Sequence, residues 1–542
     1  MNRARHLLQS TLIVIILFGL DKVIGFVRTI AVSAAFGTTP VYDAFTAANQ
    51  LPELFVTLIS GGALAAAFIP VYSQHLTSPR AREAGRLASS TLTLVVLVLG
   101  VISAAGALFA PWLARTLLVP DFSPEQQQLT AGLMRIILLQ TTLFGISGVL
   151  SGILNAHQHF VLPALAPVAL NLGYFIGLYA FIPAMDGDIH GLALGTVAGG
   201  VLHILIQVPA LLRYRFRYRP QLGLSLPGVR EIIRLMGPRI VTLGAIQFAD
   251  LFIIRLTSGL PPGSTSGYFY AYYLQQLPET LFGTAIGIVV FPTLAELYNS
   301  GRIDELKRTA MNALKIVWTL TIPAGALLVL LGRPAIALVM ERGQFDAQST
   351  ALVYSVLVFF SVRVVAEATL EIVARLFYAQ HNTVTPMAAA LVWLVVTVAL
   401  LYLFVDDLGV GGLALATTVG FTVQSALLLY LNRRKLGSLD ERGLLQTMGR
   451  ALVATALLAA TVLGVQAVVE SSLGGLAAAL SSAVGLLDAG AMQSLLFVGF
   501  GGLAGLVVYV LANLLLGGRE IPALLRLIRP RVAAAPTVPP AD

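Results

Sequence analysis

Along its length the chain repeats one pattern, a long apolar run followed by a short polar break, from residue 8 to residue 517. About 20 apolar helical residues cross the hydrocarbon of a bilayer. The runs predict spans at 8–35, 41–73, 88–110, 129–155, 160–184, 190–212 and 229–256, then at 266–298, 309–332, 348–380, 384–405, 409–432, 447–470 and 493–517. No stretch is both long and polar enough to make a soluble domain. The pattern therefore predicts an all-α integral membrane protein of about fourteen transmembrane helices.

Composition agrees: 57% of the residues are hydrophobic and 11% are charged, about half the charged share of a soluble domain. The mean hydropathy is +0.85. Arg3 and Arg5 precede the first run as they would in a signal peptide. That run continues past Asp21, Lys22 and Arg28 to Phe36 without a convincing cleavage site, so it is read as the first span. There is no cysteine, which removes disulfides and thiolate metal sites, and no metal centre or cofactor is expected.

The net charge of +8 is a topology signal once the charges are located. Alternate breaks collect Arg3, Arg5, Arg80, Arg82, Arg86, Arg213 to Arg219, Arg302, Lys307, Arg308, Arg433, Arg434, Lys435, Arg526, Arg529 and Arg531. The other set holds three arginines and most of the loop acids, among them Asp121, Asp186, Asp188, Asp406, Asp407 and Asp488. Basic loops stay inside, so both termini are expected in the cytoplasm. The basic excess argues for contact with anionic lipid head groups and against nucleic acid. The tail at 532–542 reads as disordered.

Two short matches recur at nearly one offset. Gln50-Leu51-Pro52-Glu53 in span 2 returns as Gln276-Leu277-Pro278-Glu279 in span 8. Ala156 to Pro163 (AHQHFVLP) returns as Ala379 to Pro386 (AQHNTVTP). Six spans separate the members of each pair, which predicts two parallel six-helix repeats. The expected division is an N-terminal lobe at 1–220, a C-terminal lobe at 221–440, two further helices within 441–518 and a tail at 519–542. Transporters built this way place the substrate path at the repeat interface.

Ionisable residues inside apolar spans cost about 2.5–3.5 kcal/mol each on insertion scales and so face a cavity or a partner. Span 1 has Asp21, Lys22 and Arg28, and Asp21 and Arg28 share a helix face two turns apart. Span 2 has Asp43 and Glu53, span 7 has Asp250 and Arg255, and span 8 has Glu279. Glu53 and Glu279 each follow a proline, where a kink is allowed. They form, with Asp250, the candidate coupling or gating set. Lys22 and Arg28 beside helix breaks are candidate phosphate cations. Arg363, Glu367, Glu371 and Arg375 make one stripe at i, i+4, i+8 and i+12, reading first as two self-neutralising pairs. Tyr268, Tyr270, Tyr272 and Tyr273 read first as an interfacial aromatic belt, with a sugar-stacking platform as the alternative. The histidines His157, His159 and His381 fall in cytoplasmic turns and receive no role.

Several stretches together resemble the MurJ (MviN) family of lipid II flippases, within the superfamily of multidrug and oligosaccharidyl-lipid exporters. They are Gly25 to Phe36 (GFVRTIAVSAAF), Asp43 to Pro52 (DAFTAANQLP), Gly152 to Asn171, Tyr270 to Pro292, Glu341 to Phe345 (ERGQF) and Phe377 to Pro386 (FYAQHNTVTP). The resemblance implies two lobes around a cationic cavity, two extra helices lining a lipid-facing groove, and alternating access. It implies a polyprenyl-linked cell-wall precursor as cargo, driven by Na+, H+ or the membrane potential. It also implies a bacterial inner-membrane setting near the cell-wall synthesis machinery; a monomer is expected.

Carried over position by position, Arg28 falls on the family's first-helix arginine, Lys22 on a second arginine there, and Asp43 on an acid at the start of span 2. Val56, Gly61, Tyr273, Gln276 and Asn382 stand where the family has charged residues. With cavity charge thinned, Arg255 or Arg363 is expected to complete the substrate-binding set of Lys22, Arg28 and Asp43. The same departures keep three alternatives open. One is a same-fold exporter of another polyprenyl-linked saccharide or a cation-coupled drug exporter. The second is a relative that no longer transports. The third is a polyprenyl-phosphate transferase, whose acidic metal site would rest on the single outer pair Asp406–Asp407.

Overall fold

Within the described residues, each apolar run read from the sequence is helical over most of its length. The computed structural model describes residues 2–60, 63–77, 81–214, 216–472, 481, 489–522 and 524, and these contain helices and turns but no strand. Arg80, Gly61, Asp488, Arg526, Arg529, Arg531 and the tail at 532–542 lie outside the described residues. The helices are α1 (Asn2–Phe36), α2 (Pro40–Phe55), α3 (Ala63–Thr77), α4 (Glu83–Leu118), α5 (Pro124–Ala156), α6 (Val161–Ala184) and α7 (His190–Arg213). They continue with α8 (Pro227–Thr257), α9 (Ser264–Glu279), α10 (Ala285–Asn299), α11 (Ile303–Leu330), α12 (Ala347–Ala379), α13 (Val384–Leu436), α14 (Glu441–Ser472) and α15 (Ala489–Leu515).

Among the described residues nine helices are long and apolar enough to cross a membrane. Helices α1, α8 and α12 match them in length but carry the ionisable residues picked out above. Helix α13 is 53 residues long and turns at Gly409, whose φ of 55° breaks the helical path between the two expected spans. Large apolar side chains point away from the protein, as on α4, where Val101, Leu108, Phe109 and Trp112 are all exposed. Only a lipid solvent makes such a surface favourable.

The repeat is visible in backbone detail. The helix carrying Pro52 passes into a π-helical turn at Val56–Ser60, and the helix carrying Pro278 does so at Thr280–Thr284. A proline offers no N–H to the carbonyl one turn before it, and each helix re-registers within about a turn after its proline. The two matching turns also close alike: His159 N donates to Leu154 O, and Asn382 N to Phe377 O, with Gln158 and His381 both at positive φ. This is a left-handed helix C-cap used twice.

The chain divides into two compact units. The first comprises Met1–Tyr273, Val339–Phe359 and Met387–Gly420; the second comprises Leu274–Leu338, Phe360–Pro386 and Phe421–Asp542. In the first, Leu64, Phe68, Leu87, Leu99 and Ile153 make the core. In the second, Leu306, Leu314, Val317, Ile372 and Leu376 make one core and Leu458, Val462 and Tyr509 another. Tyr509 of α15 donates to Thr319 O of α11 at 2.5 Å, tying the last helix to the unit.

Helices α6 and α7 meet through glycines. A Cβ on Gly173 would lie 2.3 Å from Gly199 Cα, and one on Gly195 would lie 2.6 Å from Gly177 Cα. Apolar surface gives no drive to associate in lipid, so close backbone contact supplies it. Gly195→Val is expected to lower the melting temperature of the detergent-solubilised protein by several degrees, since overpacking costs about 1–3 kcal/mol. Gly85→Ala, which meets nothing within 4 Å, should leave it unchanged.

His157, in the turn after α5, lies flat on Tyr214 with ring centroids 4.5 Å apart and meets Tyr72 edge-on at 6.0 Å. Burial holds its pKa below the ordinary 6.5. The unfolded chain therefore takes up this proton first as pH falls. The contribution to stability is intact above 6.5 and is lost as pH drops through the folded value. The melting temperature should fall on going from about pH 7 to about pH 5 more steeply in the wild type than in His157→Phe.

Candidate functional site

The first unit encloses a cavity lined by residues of α1, α2, α6 and α9, with Arg28, Tyr42, Asn49, Tyr174 and Tyr273 in its wall. Arg28 is the single cation among its lining residues. One face of α1 builds the contact to α6: Asn171 Nδ2 donates to Asp21 Oδ1 at 2.9 Å, and Arg28 lies 4.6 Å over the Tyr174 ring. Asp21 and Arg28 are two turns apart, so the face of span 1 read from sequence is the one in contact, and it meets Asn171 and Tyr174, one turn apart on α6. The ring quadrupole holds the guanidinium without consuming its hydrogen-bond donors. Phe45 meets Tyr174 edge-on, and Tyr42 stacks on Tyr270 at 5.3 Å. Glu53, exposed at the end of α2, lies within Coulombic range of Arg28, Tyr174 and Tyr273.

The other expected site residues fall elsewhere. Lys22 is exposed and is not among the cavity-lining residues. Asp43 is 1% exposed and accepts from Gly263 N at 2.6 Å, Ser266 N at 2.7 Å and Ser266 Oγ at 2.7 Å. Its carboxylate therefore caps the start of α9, where the amide dipoles favour a negative charge. Arg255 donates to Thr116 O at 2.6 Å and Leu117 O at 3.4 Å, satisfying the orphan carbonyls at the end of α4. Asp250 is half-buried on α8. In the second unit Arg363 is 5% exposed, donates to Glu367 Oε2 at 3.1 Å and is flanked by the rings of Phe360 and Phe421. Arg375 is paired with Glu371 in the same stripe, and Glu279 is buried beside it.

The tyrosines depart from the belt that was read first. Tyr268 and Tyr270 are buried, and Tyr270 and Tyr273 line the cavity. Their three-residue spacing on one helix, opposite an arginine in span 1, is the signal that identifies a wall in place of a belt. At the end of α1, Gln344 N donates to Ala34 O at 2.8 Å, and just beyond it the Thr38 and Ser349 hydroxyls lie 2.8 Å apart.

A polytopic, all-helical chain with a doubled proline-broken helix and a cavity holding one stacked arginine defines a membrane transporter. The family described as lipid II flippase MurJ matches residues 32–481. A probable lipid II flippase MurJ of Bdellovibrio bacteriovorus is 32% identical over 76% of this chain and 80% of its own length. The lipid II flippase MurJ of Burkholderia cenocepacia is 28% identical over 81% of this chain and 87% of its own. The chain belongs to the MurJ family of lipid II flippases.

The fold agrees. A solved lipid II flippase MurJ in an inward closed conformation matches with a TM-score of 0.76 at 21% identity, covering 95% of this chain and all of that one. A multidrug resistance MATE family transporter of the MOP superfamily, inward-facing, reaches 0.66 at 16% identity over 78% of this chain and 96% of its own. The family is one of transporters, not enzymes, and sets a polyprenyl-linked lipid in a bilayer as the substrate.

Proposed function

We propose that this chain carries lipid II from the inner to the outer leaflet by alternating access, with Arg28 as the group that meets the pyrophosphate. The observation that carries this reading is the placement of Arg28: a cation in a cavity wall, held by an aromatic face, with its N–H donors left for a ligand. Guanidinium matches phosphate oxygens in pairs. Tyrosine faces and the Asn49 and Gln50 amides around it suit a sugar with many hydroxyls.

In this reading the lobes are 1–220 and 221–440, the helices within 441–518 receive the lipid tail, and both termini are cytoplasmic. The protein works as a monomer in the bacterial inner membrane, alongside the cell-wall synthesis machinery. Na+, H+ or the membrane potential supplies the drive, through Glu53, Asp250 and Glu279. Expression in a bacterium depleted of its own lipid II flippase tests the substrate. Rescue by the wild-type chain is expected. Failure of a well-expressed, membrane-inserted chain would move the cargo to another polyprenyl-linked saccharide.

A further inference from the structure

Five ionisable side chains meet inside the helices of the second unit, and their charges do not balance. On α12, Arg363 pairs with Glu367 and Arg375 with Glu371. Glu279 of α9 is left over. It is 6% exposed and accepts only neutral donors, Thr284 Oγ1 at 3.1 Å and Thr280 Oγ1 at 3.4 Å. The charged groups acting on it are Glu367 and Glu371, both of its own sign. Helices α10 and α11 pack on the turn that follows it. The former brings Glu296, which is exposed, and the latter ends its charged stretch at Lys315, bound to Asp440 at 2.5 Å. A buried carboxylate beside two others requires one compensating positive charge.

A second observation falls in the same place. Gln275, fully buried and one turn before Glu279, donates through Nε2 to Glu367 Oε2 at 3.3 Å, while its Oε1 has no partner. The cluster thus lacks one positive charge and one hydrogen-bond donor. Among the described residues no three acidic or histidine side chains converge as metal ligands. A proton supplies both missing features at once: it neutralises the carboxyl and turns it into a donor one helical turn from the orphan carbonyl.

We propose that the Glu279–Glu367–Glu371 cluster binds one proton, carried by Glu279 and shared with Gln275 Oε1. Glu53, its counterpart in the first repeat, has the Arg28 guanidinium as its charged neighbour in place of two carboxylates. If the chain transports as set out under Proposed function, on which this step rests, that proton is the coupling ion. It sits where the π-helical turn Thr280–Thr284 begins, and both hydroxyls that hold Glu279 belong to that turn.

Infrared difference spectroscopy of the full chain in lipid nanodiscs reads the proton directly, without transport. At neutral pH the carboxylic-acid C=O band should fall by one carboxyl in Glu279→Gln and stay whole in Glu53→Gln. Charge balance gives a second variant: Glu371→Gln leaves Arg375 to neutralise Glu279, so the same loss is expected even if Glu279→Gln does not fold. Equal bands in the wild type and both cluster variants would overturn the proposal. A band that appears only when sodium is withdrawn at constant pH would also overturn it, in favour of a metal cation. Since the band needs no cargo, a failure to rescue flippase-depleted cells tests the transport reading separately.

Discussion

Arg28→Ala is expected to abolish rescue of flippase-depleted cells at wild-type expression and membrane insertion. Arg28 is the one cation lining the cavity, so its loss leaves a pyrophosphate with no charged partner in the wall. A charge-assisted hydrogen bond contributes about 1.5–3 kcal/mol, roughly 10- to 100-fold in affinity for each bond lost. Arg28→Lys separates charge from geometry. It keeps the cation but loses the planar fork and its seat on Tyr174, so partial rescue is expected. Lys22→Ala should rescue as the wild type does, because Lys22 is six residues away on α1, on a different face. Full rescue by Arg28→Ala would remove Arg28 from the transport path.

How legible these residues were depends on how local their partners are. The spans follow from apolar length, and both breaks follow from one repeated Pro-Glu pair, because a proline acts on its own helix. The pairs Arg363–Glu367 and Arg375–Glu371 were readable for the same reason. Asp43 and Arg255 were not. An acid or an arginine in an apolar run reads alike whether it faces a cavity or a backbone end, and here the partners lie 220 and 139 positions away in sequence. The glycine contact between α6 and α7 was equally hidden, since a chain with 50 glycines does not mark which of them touch. Glu53 and Glu279 show the limit of a repeat. Equivalent positions share a backbone break but not an environment, because Arg28 has no counterpart beside Glu279.

Asp43→Ala is expected to unfold the start of α9 and to lower the melting temperature more than any cavity-wall substitution. Its carboxylate receives three buried donors, Gly263 N, Ser266 N and Ser266 Oγ. Each donor left without a partner costs about 1–3 kcal/mol, and a domain's net stability is only about 5–15 kcal/mol. Relaxation cannot readily restore the bonds, because Gly263 is pinned at φ +89° with Thr38 O only 2.4 Å from where a Cβ would stand. Ser266→Ala removes the hydroxyl donor together with its bond and leaves both amides capped, so a smaller loss is expected. Asp43→Asn should fall between them: the amide keeps one acceptor oxygen but turns an NH2 toward backbone N–H groups and gives up the charge that the helix dipole favours. The ordering Ala below Asn below Ser266→Ala in melting temperature identifies Asp43 as a cap. Wild-type melting with lost rescue in Asp43→Ala would instead identify it as a contact to the cargo.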